Sequence, residues 1–588
     1  MTPTVPDELV TEAKVRVLDL PDAAGRAALI TLDNGQDHTK PSTFGLGGLR
    51  SLDAALDQVQ ALAADGEIVA VAVTGKPFIF AVGADLTGMP QVTSRNQAHT
   101  LGVLGHSVFR RLGELGIPSF AFVNGAAMGG GLEVALSCTY RTLSSTAGAI
   151  AFPEVFLGLV PGWGGAYLLP NLIGADRAVK VIIENPLSNN RMLRPREAFD
   201  LGIADALLEP ADFLVESLRW AAAVMNGHVT VQRAAVDRGA AWDDAIARGR
   251  ALADAKFHGN VPAPYRALDL LAAARTASQD EGFAAEDDAL ADLVMSDELR
   301  AGLYSFDLVQ RRAKRPVGAP DKSLARPVTK VGIVGAGLMA SQLALLFVQR
   351  LQVPVVITDL DQARVDKGVG YVHDEISRLH SKGRLSSDRA NRLRTLVTGS
   401  ITKAPFADAD VVIEAVFEDL KVKQQVFTEV EAVVGTQCVL LTNTSSLSVS
   451  EMASGLQHPE RVVGFHFFNP VALMPLLEIA RADHTDDASL ATAFAIGKAL
   501  KKSCVLVKDS PAFVVNRLLT RFLGEVTSAV DEGTPFEVAD HALDPLGLPL
   551  SPFVLLQMVG PAVALHVSET MHEAFPDRFA VSDNQRRV

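Results

Sequence analysis

Cysteine is scarce: Cys138, Cys438 and Cys504 are the only three in 588 residues, and no CxxC pattern joins them. That leaves nothing from which to build a disulfide framework or a zinc site, so no metal is expected and a reducing, cytoplasmic setting is. Basic charge is also short. Lys and Arg number 54 against 68 Asp and Glu, a net charge of −14. Sequence-independent nucleic-acid binding needs a basic face to displace counterions, so no nucleic-acid partner is expected. The N-terminal stretch "MTPTVPDELVTEAK" lacks the basic and apolar regions of a signal peptide. No run of 18 apolar residues occurs, so no transmembrane segment is expected. What remains is a chain of ordinary globular composition, 48% hydrophobic and 21% charged, that is too long for one core.

Residues 12–210 alternate short apolar runs with helical stretches. "AALITL" (27–32), "IVAVAVTG" (68–75) and "IPSFAFVNG" (117–125) read as buried strands, and "GGLRSLDAALDQVQALAAD" (47–65) carries apolar residues at helical spacing. From 211 to 325 strand signals vanish and alanine-rich helical sequence takes over, which reads as a helical connector. Strand–helix alternation returns over 326–508, and 509–588 is helical again.

Chemistry-bearing segments stand out in the first block. They are "FIFAVGADL" (78–86), "NGAAMGGGLEVALS" (124–137) and "FPEVFLGLVPGWGG" (152–165). Three glycines before a helix whose first turn carries Glu133 allow backbone N–H groups to face a ligand at a helix N-terminus, the makings of an oxyanion hole. A tight loop with a dipole-favouring glutamate would read the same way in isolation. The combination resembles the crotonase (enoyl-CoA hydratase/isomerase) family over most of residues 12–210. The resemblance implies that the amides of Ala84 and Gly130 hold a thioester oxygen. It also implies that Glu133 and Glu154 exchange protons with water and with C2 of a 2-enoyl chain. Two carboxyl groups in different protonation states are what hydration needs, since one accepts a proton while the other delivers one. Leu168 and Asn171 stand where that family often carries arginines, a departure that bears on substrate chain length and coenzyme A contacts.

The third block opens on "VGIVGAGLMASQL" (331–343), a strand, a glycine-rich turn and a helix, with Ala340 where a third glycine is usual. The next strand ends at Asp359, 24 residues after Gly335. A carboxylate there can accept hydrogen bonds from ribose hydroxyls and would repel a 2′-phosphate, which favours NAD over NADP. Gly335, Gly337, Leu338 and Met339 are the turn residues that would face the dinucleotide.

Downstream, "VVIEAVFEDLKVK" (411–423), "LTNTSSLSVSEM" (441–452) and "VVGFHFFNPVALMPLLEIA" (462–480) resemble the L-3-hydroxyacyl-CoA dehydrogenase family. That resemblance implies His466 as the base for the 3-hydroxyl proton, with Glu478 orienting its ring. It also implies Ser445 and Asn516 as substrate-polarising residues, Asn469 beside the cofactor, and Glu414 and Lys421 lining the nicotinamide nucleotide.

Together the blocks predict an α/β chain. An N-terminal crotonase-like ββα spiral (12–210) is followed by a helical connector (211–325), a Rossmann NAD-binding domain (326–508) and an all-helical C-terminal dehydrogenase domain (509–588). That last domain is expected to be incomplete relative to the family. The order resembles the multifunctional α-subunit of fatty-acid β-oxidation: an enoyl-CoA hydratase followed by an NAD-dependent 3-hydroxyacyl-CoA dehydrogenase, acting on acyl-CoA thioesters and partnered by a separate thiolase subunit. Two other readings stay open at this point. One is an acyl-CoA-binding or thiolase-assembly subunit with a silent dehydrogenase half; the other is the same activities in a short-chain or aromatic-degradation pathway.

Overall fold

The computed structural model describes residues 8–314 and 316–587; residues 1–7 of the polar N-terminal stretch lie outside them. The chain divides into two compact units, one comprising Met1–Phe306 and Asp544–Pro549, the other Asp307–Leu543 and Leu550–Val588.

In the first unit the chain repeatedly gives one strand to a larger sheet and the next to a smaller one. In chain order the strands are β1 (Glu12–Asp19), β2 (Arg26–Asp33), β3 (Ala70–Gly75), β4 (Ile79–Val82), β5 (Ser119–Val123), β6 (Ala126–Met128), β7 (Tyr140–Ser144), β8 (Ile150–Ala151) and β9 (Ala206–Leu208). The larger sheet runs β1-β2-β3-β5-β7-β9 and the smaller β4-β6-β8, parallel throughout except for the β1–β2 hairpin. β3 and β5 are buried along their whole length, which is why they read as unbroken apolar runs rather than alternating ones. The step from β5 to β6 is tight: a Cβ on Gly125 would sit 2.0 Å from the Phe78 carbonyl carbon.

The helices Ala240–Phe257, Pro262–Ala273 and Gln279–Val294 lie in the stretch that reads as a connector. They are part of the first unit's core. Trp242, Leu268, Leu271 and Ala291 are fully enclosed in the same apolar cluster as Ile30, Val73 and Ile182. The unit thus contains helices whose sequence shows only amphipathic, alanine-rich spacing.

The second unit holds an eight-stranded sheet: β10 (Val331–Val334), β11 (Val355–Thr358), β12 (Val397–Ser400), β13 (Val411–Glu414), β14 (Val439–Thr442), β15 (Val462–Phe467), β16 (Leu476–Arg481) and β17 (Ser503–Lys508). Their order is β12-β11-β10-β13-β14-β15-β16-β17, and the β15–β16 pair is antiparallel. Strand order reverses at β10, which has β11 on one side and β13 on the other. The carboxyl end of β10 is therefore the topological switch point where doubly wound sheets bind dinucleotides. Helices Val515–Asp531, Phe536–His541, Pro552–Val559 and Pro561–Ala574 follow the sheet. Among the described residues no single helix is long and apolar enough to cross a membrane.

Candidate functional sites

The parallel pairing of β4 with β6 sets Val82 opposite Met128, so the turns that follow the two strands emerge side by side. Ala84 and Gly130 each lie two residues past that pair. A Cβ on Gly129 would come within 3.4 Å of Gly83 Cα, and one on Gly130 within 3.6 Å of the Gly83 carbonyl carbon. Gly129 takes φ +50°, a conformation costly for any residue with a side chain. Among the described residues, neither the Ala84 nor the Gly130 amide donates to a protein acceptor, although their neighbours Asp85 and Gly129 do. Two adjacent N–H groups are thus left for a ligand oxygen. Beside them a cavity of about 310 Å³ is lined by Phe44, Asp85, Met89, Leu101 and Leu104, among others.

Glu133 sits in the first turn of the helix Gly130–Ser137 and is buried. Its Oε1 accepts from the amides of Trp163 (2.8 Å) and Gly165 (2.9 Å). Burial pushes its pKa up to about 7, with the Glu286 charge adding to the rise and those two amides opposing it. Glu154 follows β8, and its Oε1 lies close to Gly129, where an added Cβ would meet it at 2.2 Å. Its Oε2 is enclosed without a partner among the described residues. Burial first, and the nearby Glu133 charge second, hold its pKa well above the carboxylate range. The two carboxyls therefore resist simultaneous ionisation, and the oxygen with no donor is the natural seat of the shared proton.

Leu168 and Asn171 lie in the next helix, Gly165–Ile173. The Asn171 amide donates to the Tyr167 (2.8 Å) and Ala274 (3.2 Å) carbonyls, and its oxygen accepts from Arg238. A cation from the following helical region thus reaches the position where the family often places one.

One buried cluster carries no sequence signal. His106, Glu286 and Asp287 are all enclosed. His106 Nδ1 pairs with Asp287 Oδ1 at 2.8 Å, and Nε2 with Glu286 Oε2 at 3.0 Å. Burial opposes the imidazolium, but the two carboxylates outweigh it and raise the pKa to about 9. Sequence spacing could not have found this cluster, since 180 residues separate its members.

In the second unit, Gly335 takes φ +105°, and a Cβ there would meet the Ala415 carbonyl oxygen at 2.6 Å. The helix Leu338–Leu351 starts at Gly337 with no side-chain cap, and a Cβ on Gly337 would meet nothing within 4 Å. Open space at an uncapped helix N-terminus suits a pyrophosphate. Leu338 is exposed, Met339 half-buried, and Ala340 fully enclosed, as close packing of that helix requires. Asp359 Oδ2 accepts from the Ala336 amide at 2.8 Å, so the carboxylate that would meet a ribose also anchors the glycine-rich turn. These residues fit a dinucleotide.

Glu414 and Lys421 are not brought together. Glu414 is fully enclosed, with both oxygens 2.8 Å from Lys423 Nζ, while Lys421 is exposed. Both lysines lie in the first turn of the helix Leu420–Glu431, and two positions on a helix differ by about 200°. The inward residue is therefore Lys423. It also meets Glu418 Oε2 at 3.2 Å, and Glu418 Oε1 accepts from the Ser445 amide (2.8 Å) and the Thr444 hydroxyl (2.7 Å).

His466 and Glu478 are register partners in the β15–β16 pair, with Nδ1 to Oε2 at 2.7 Å. Glu478 Oε1 accepts from the Val514 (3.1 Å) and Val515 (2.9 Å) amides, which ties the dyad to the helix carrying Asn516. Among the described residues no protein group bonds His466 Nε2. The Asn516 side-chain amide reaches the Ser445 carbonyl at 3.4 Å. Asn469 Oδ1 accepts from Gln342, a residue of the helix that begins at the glycine-rich turn.

Residues 39–264 match the family model for enoyl-CoA hydratase/isomerase, residues 330–510 that for the NAD binding domain of 3-hydroxyacyl-CoA dehydrogenase, and residues 513–587 that for its C-terminal domain. The chain is 31% identical over 519 residues to the fatty acid oxidation complex subunit alpha of Shewanella loihica (strain ATCC BAA-1088 / PV-4), covering 87% of this chain and 72% of that relative. Among solved structures it is similar to M. tuberculosis FadB2, at 31% identity and TM-score 0.43, over 45% of this chain and 93% of that one. It is also similar to (S)-3-hydroxybutyryl-CoA dehydrogenase PaaH1 from Ralstonia eutropha, at 32% and 0.43, over 44% and 93%. NAD is the cofactor of the second unit. With the two reaction modules in one chain and this identity over most of its length, the protein belongs to the family of fatty-acid oxidation complex α-subunits, combining an enoyl-CoA hydratase with an NAD-dependent 3-hydroxyacyl-CoA dehydrogenase.

Proposed function

We propose that Glu133 and Glu154 are the hydration pair, that Ala84 and Gly130 supply the oxyanion donors, and that His466 with Glu478 performs the proton transfer of the oxidation. The observation that carries the first part is the pair of acceptor-free amides beside two enclosed carboxyls, one holding two backbone amides and the other with a partnerless oxygen. A thioester oxygen placed between the Ala84 and Gly130 amides makes C3 of a 2-enoyl chain electrophilic. Glu133, whose ionised form two backbone amides favour, takes a proton from water as the water oxygen bonds to C3. Negative charge moves onto the thioester oxygen, where the amides stabilise it. Glu154 then delivers its proton to C2, and transfer from Glu133 to Glu154 restores the pair.

Gly335, Gly337 and Asp359 would hold NAD at the carboxyl end of β10, where the group would supply the hydride acceptor for oxidation at C3 of the resulting 3-hydroxyacyl thioester. The chain's own part is to hold and move protons. The free Nε2 of His466 accepts the 3-hydroxyl proton, while Glu478 fixes the ring through Nδ1. Ser445 and Asn516 orient the substrate oxygen, and Gln342 positions Asn469 beside the cofactor. Lys423 and Glu418 support Ser445 from behind.

The relative's description as subunit alpha supports a second subunit, and the chemistry names it: a 3-ketoacyl thioester is consumed by thiolytic cleavage, so a separate thiolase is the partner. Three buried free thiols support a reducing, cytoplasmic setting. The test follows loss of enoyl-CoA absorbance and NADH formation from one enoyl-CoA substrate. Both signals are expected, with hydration reduced by about 100-fold or more in Glu133→Gln and Glu154→Gln. Hydration at the unmodified rate in either variant would refute the assignment.

A further inference from the structure

The turn Gly162–Tyr167 is held from two sides by buried carboxylates that come from different helices. Glu133 accepts from the Trp163 and Gly165 amides, and Glu286 accepts from two others, Gly164 at 2.6 Å and Tyr167 at 2.7 Å. These donors lie at and just before the N-terminus of the helix Gly165–Ile173, where N–H groups have no intrahelical partner and negative charge is favoured. Behind Glu286 stands His106, held between Glu286 and Asp287 and stacked on Phe283 at 4.3 Å. The helix that carries His106, Arg95–Glu114, also accepts the Trp163 indole N–H at the Leu101 carbonyl, 3.3 Å away.

We infer that Glu286 and His106 are positioning residues for hydration: they clasp the Gly162–Tyr167 turn against Glu133 and so set both the place and the charge of the carboxylate that accepts the water proton. This rests on Glu133 acting as that acceptor. His106 pairs with both carboxylates, which offsets part of the cost of burying them, and Glu286 uses its remaining acceptor capacity on the turn rather than on the core around it. Glu286 is the member that reaches the turn, accepting from the Gly164 and Tyr167 amides, while His106 holds Glu286 from behind. The groups facing Glu133 are then Glu154, Glu286 and His106, and those facing His106 are Glu286 and Asp287. Glu286 and His106 bear on Glu133 with opposite sign. The negative charge favours protonated Glu133 and the positive charge favours ionised Glu133.

Opposite signs give a readout that lost packing would not. Hydration by the full chain is measured against pH for Glu286→Gln and His106→Gln, with a cooperative thermal unfolding transition of the first unit showing that the mutated unit is folded. Glu286→Gln is expected to lower kcat by about 100-fold, from a displaced Glu133, and to move the acid limb down by about half a pH unit. His106→Gln is expected to move that limb up by about the same amount, and KM should change less than about twofold in both. If Glu286→Gln does not fold, the upward shift in His106→Gln decides the matter. An unchanged limb and rate in folded variants, shifts of the same sign, or failure of both variants to fold would each overturn the inference. A Glu133→Gln protein that hydrates normally would instead overturn the assignment on which it rests.

Discussion

Burial pushes both Glu133 and Glu154 upward, but they have different partners, and this separates their tasks. Two amides meet one oxygen of Glu133, whereas the enclosed Oε2 of Glu154 meets none. The pair should therefore titrate as a unit, carrying one proton above about pH 7 and two below it. Hydration is expected to follow a bell-shaped pH profile in kcat/KM, with an acid limb near pH 7 where Glu133 takes up a second proton. The alkaline limb follows when the last proton leaves; a plateau from pH 5 to 9 would rule out this pairing. Both glutamates are readable from the chain because each is a few residues from a glycine turn or a Pro-Glu pair. Lys423 is not, since Lys421 and Lys423 are chemically identical and only the phase of their helix turns one inward. His106, Glu286 and Asp287 look like solvated helix-face residues until the fold joins them across 180 residues.

The β15–β16 hairpin sets the dehydrogenase dyad. Antiparallel register puts His466 directly opposite Glu478, and a one-residue slip would turn one of them to the other face. The amides of Val514 and Val515 then secure Glu478 from the following helix. His466→Gln is expected to lower NADH formation by roughly 100-fold to 10,000-fold, the range for a general base, while leaving hydration intact. Glu478→Gln should fall in the same direction because the ring loses its anchor. Assaying the two half-reactions separately checks both, and equal loss of hydration would show that the effect is global instead. The strands here are legible because parallel strands buried on both faces read as apolar runs. The pairing of β10 with both β11 and β13, which creates the cofactor site, is a matter of order in space that no local pattern records.

In the whole molecule, the helices between the two catalytic blocks do more than span a gap. Those from Ala240 to Val294 complete the first unit's core and deliver Glu286 and Asp287 to the back of its site. His106 links that packing to pH. Its pKa is about 9 in the fold against 6.5 for an ordinary histidine. Below about pH 6.5 folded and unfolded chains both hold the proton, so the stabilisation is complete; it fades as pH rises through about 9. Thermal unfolding of the first unit is therefore expected to show falling stability from pH 6.5 to 9.5. The slope should be shallower in His106→Gln, and identical slopes would refute the charge assignment.

The amino-acid sequence by itself determined the α/β class and the two reactions, and it offered most of the residues proposed to meet substrate or cofactor. Each of those rests on local features: a strand running into a glycine turn, a helix start, two residues twelve apart on paired strands. Tertiary structure alone decided which lysine faces Glu414, that the middle helices belong to the first core, and that a histidine with two carboxylates stands behind Glu133. Burial and electrostatic coupling depend on neighbours distant in the chain. A residue whose state is set by such neighbours carries no mark of it in the residues beside it.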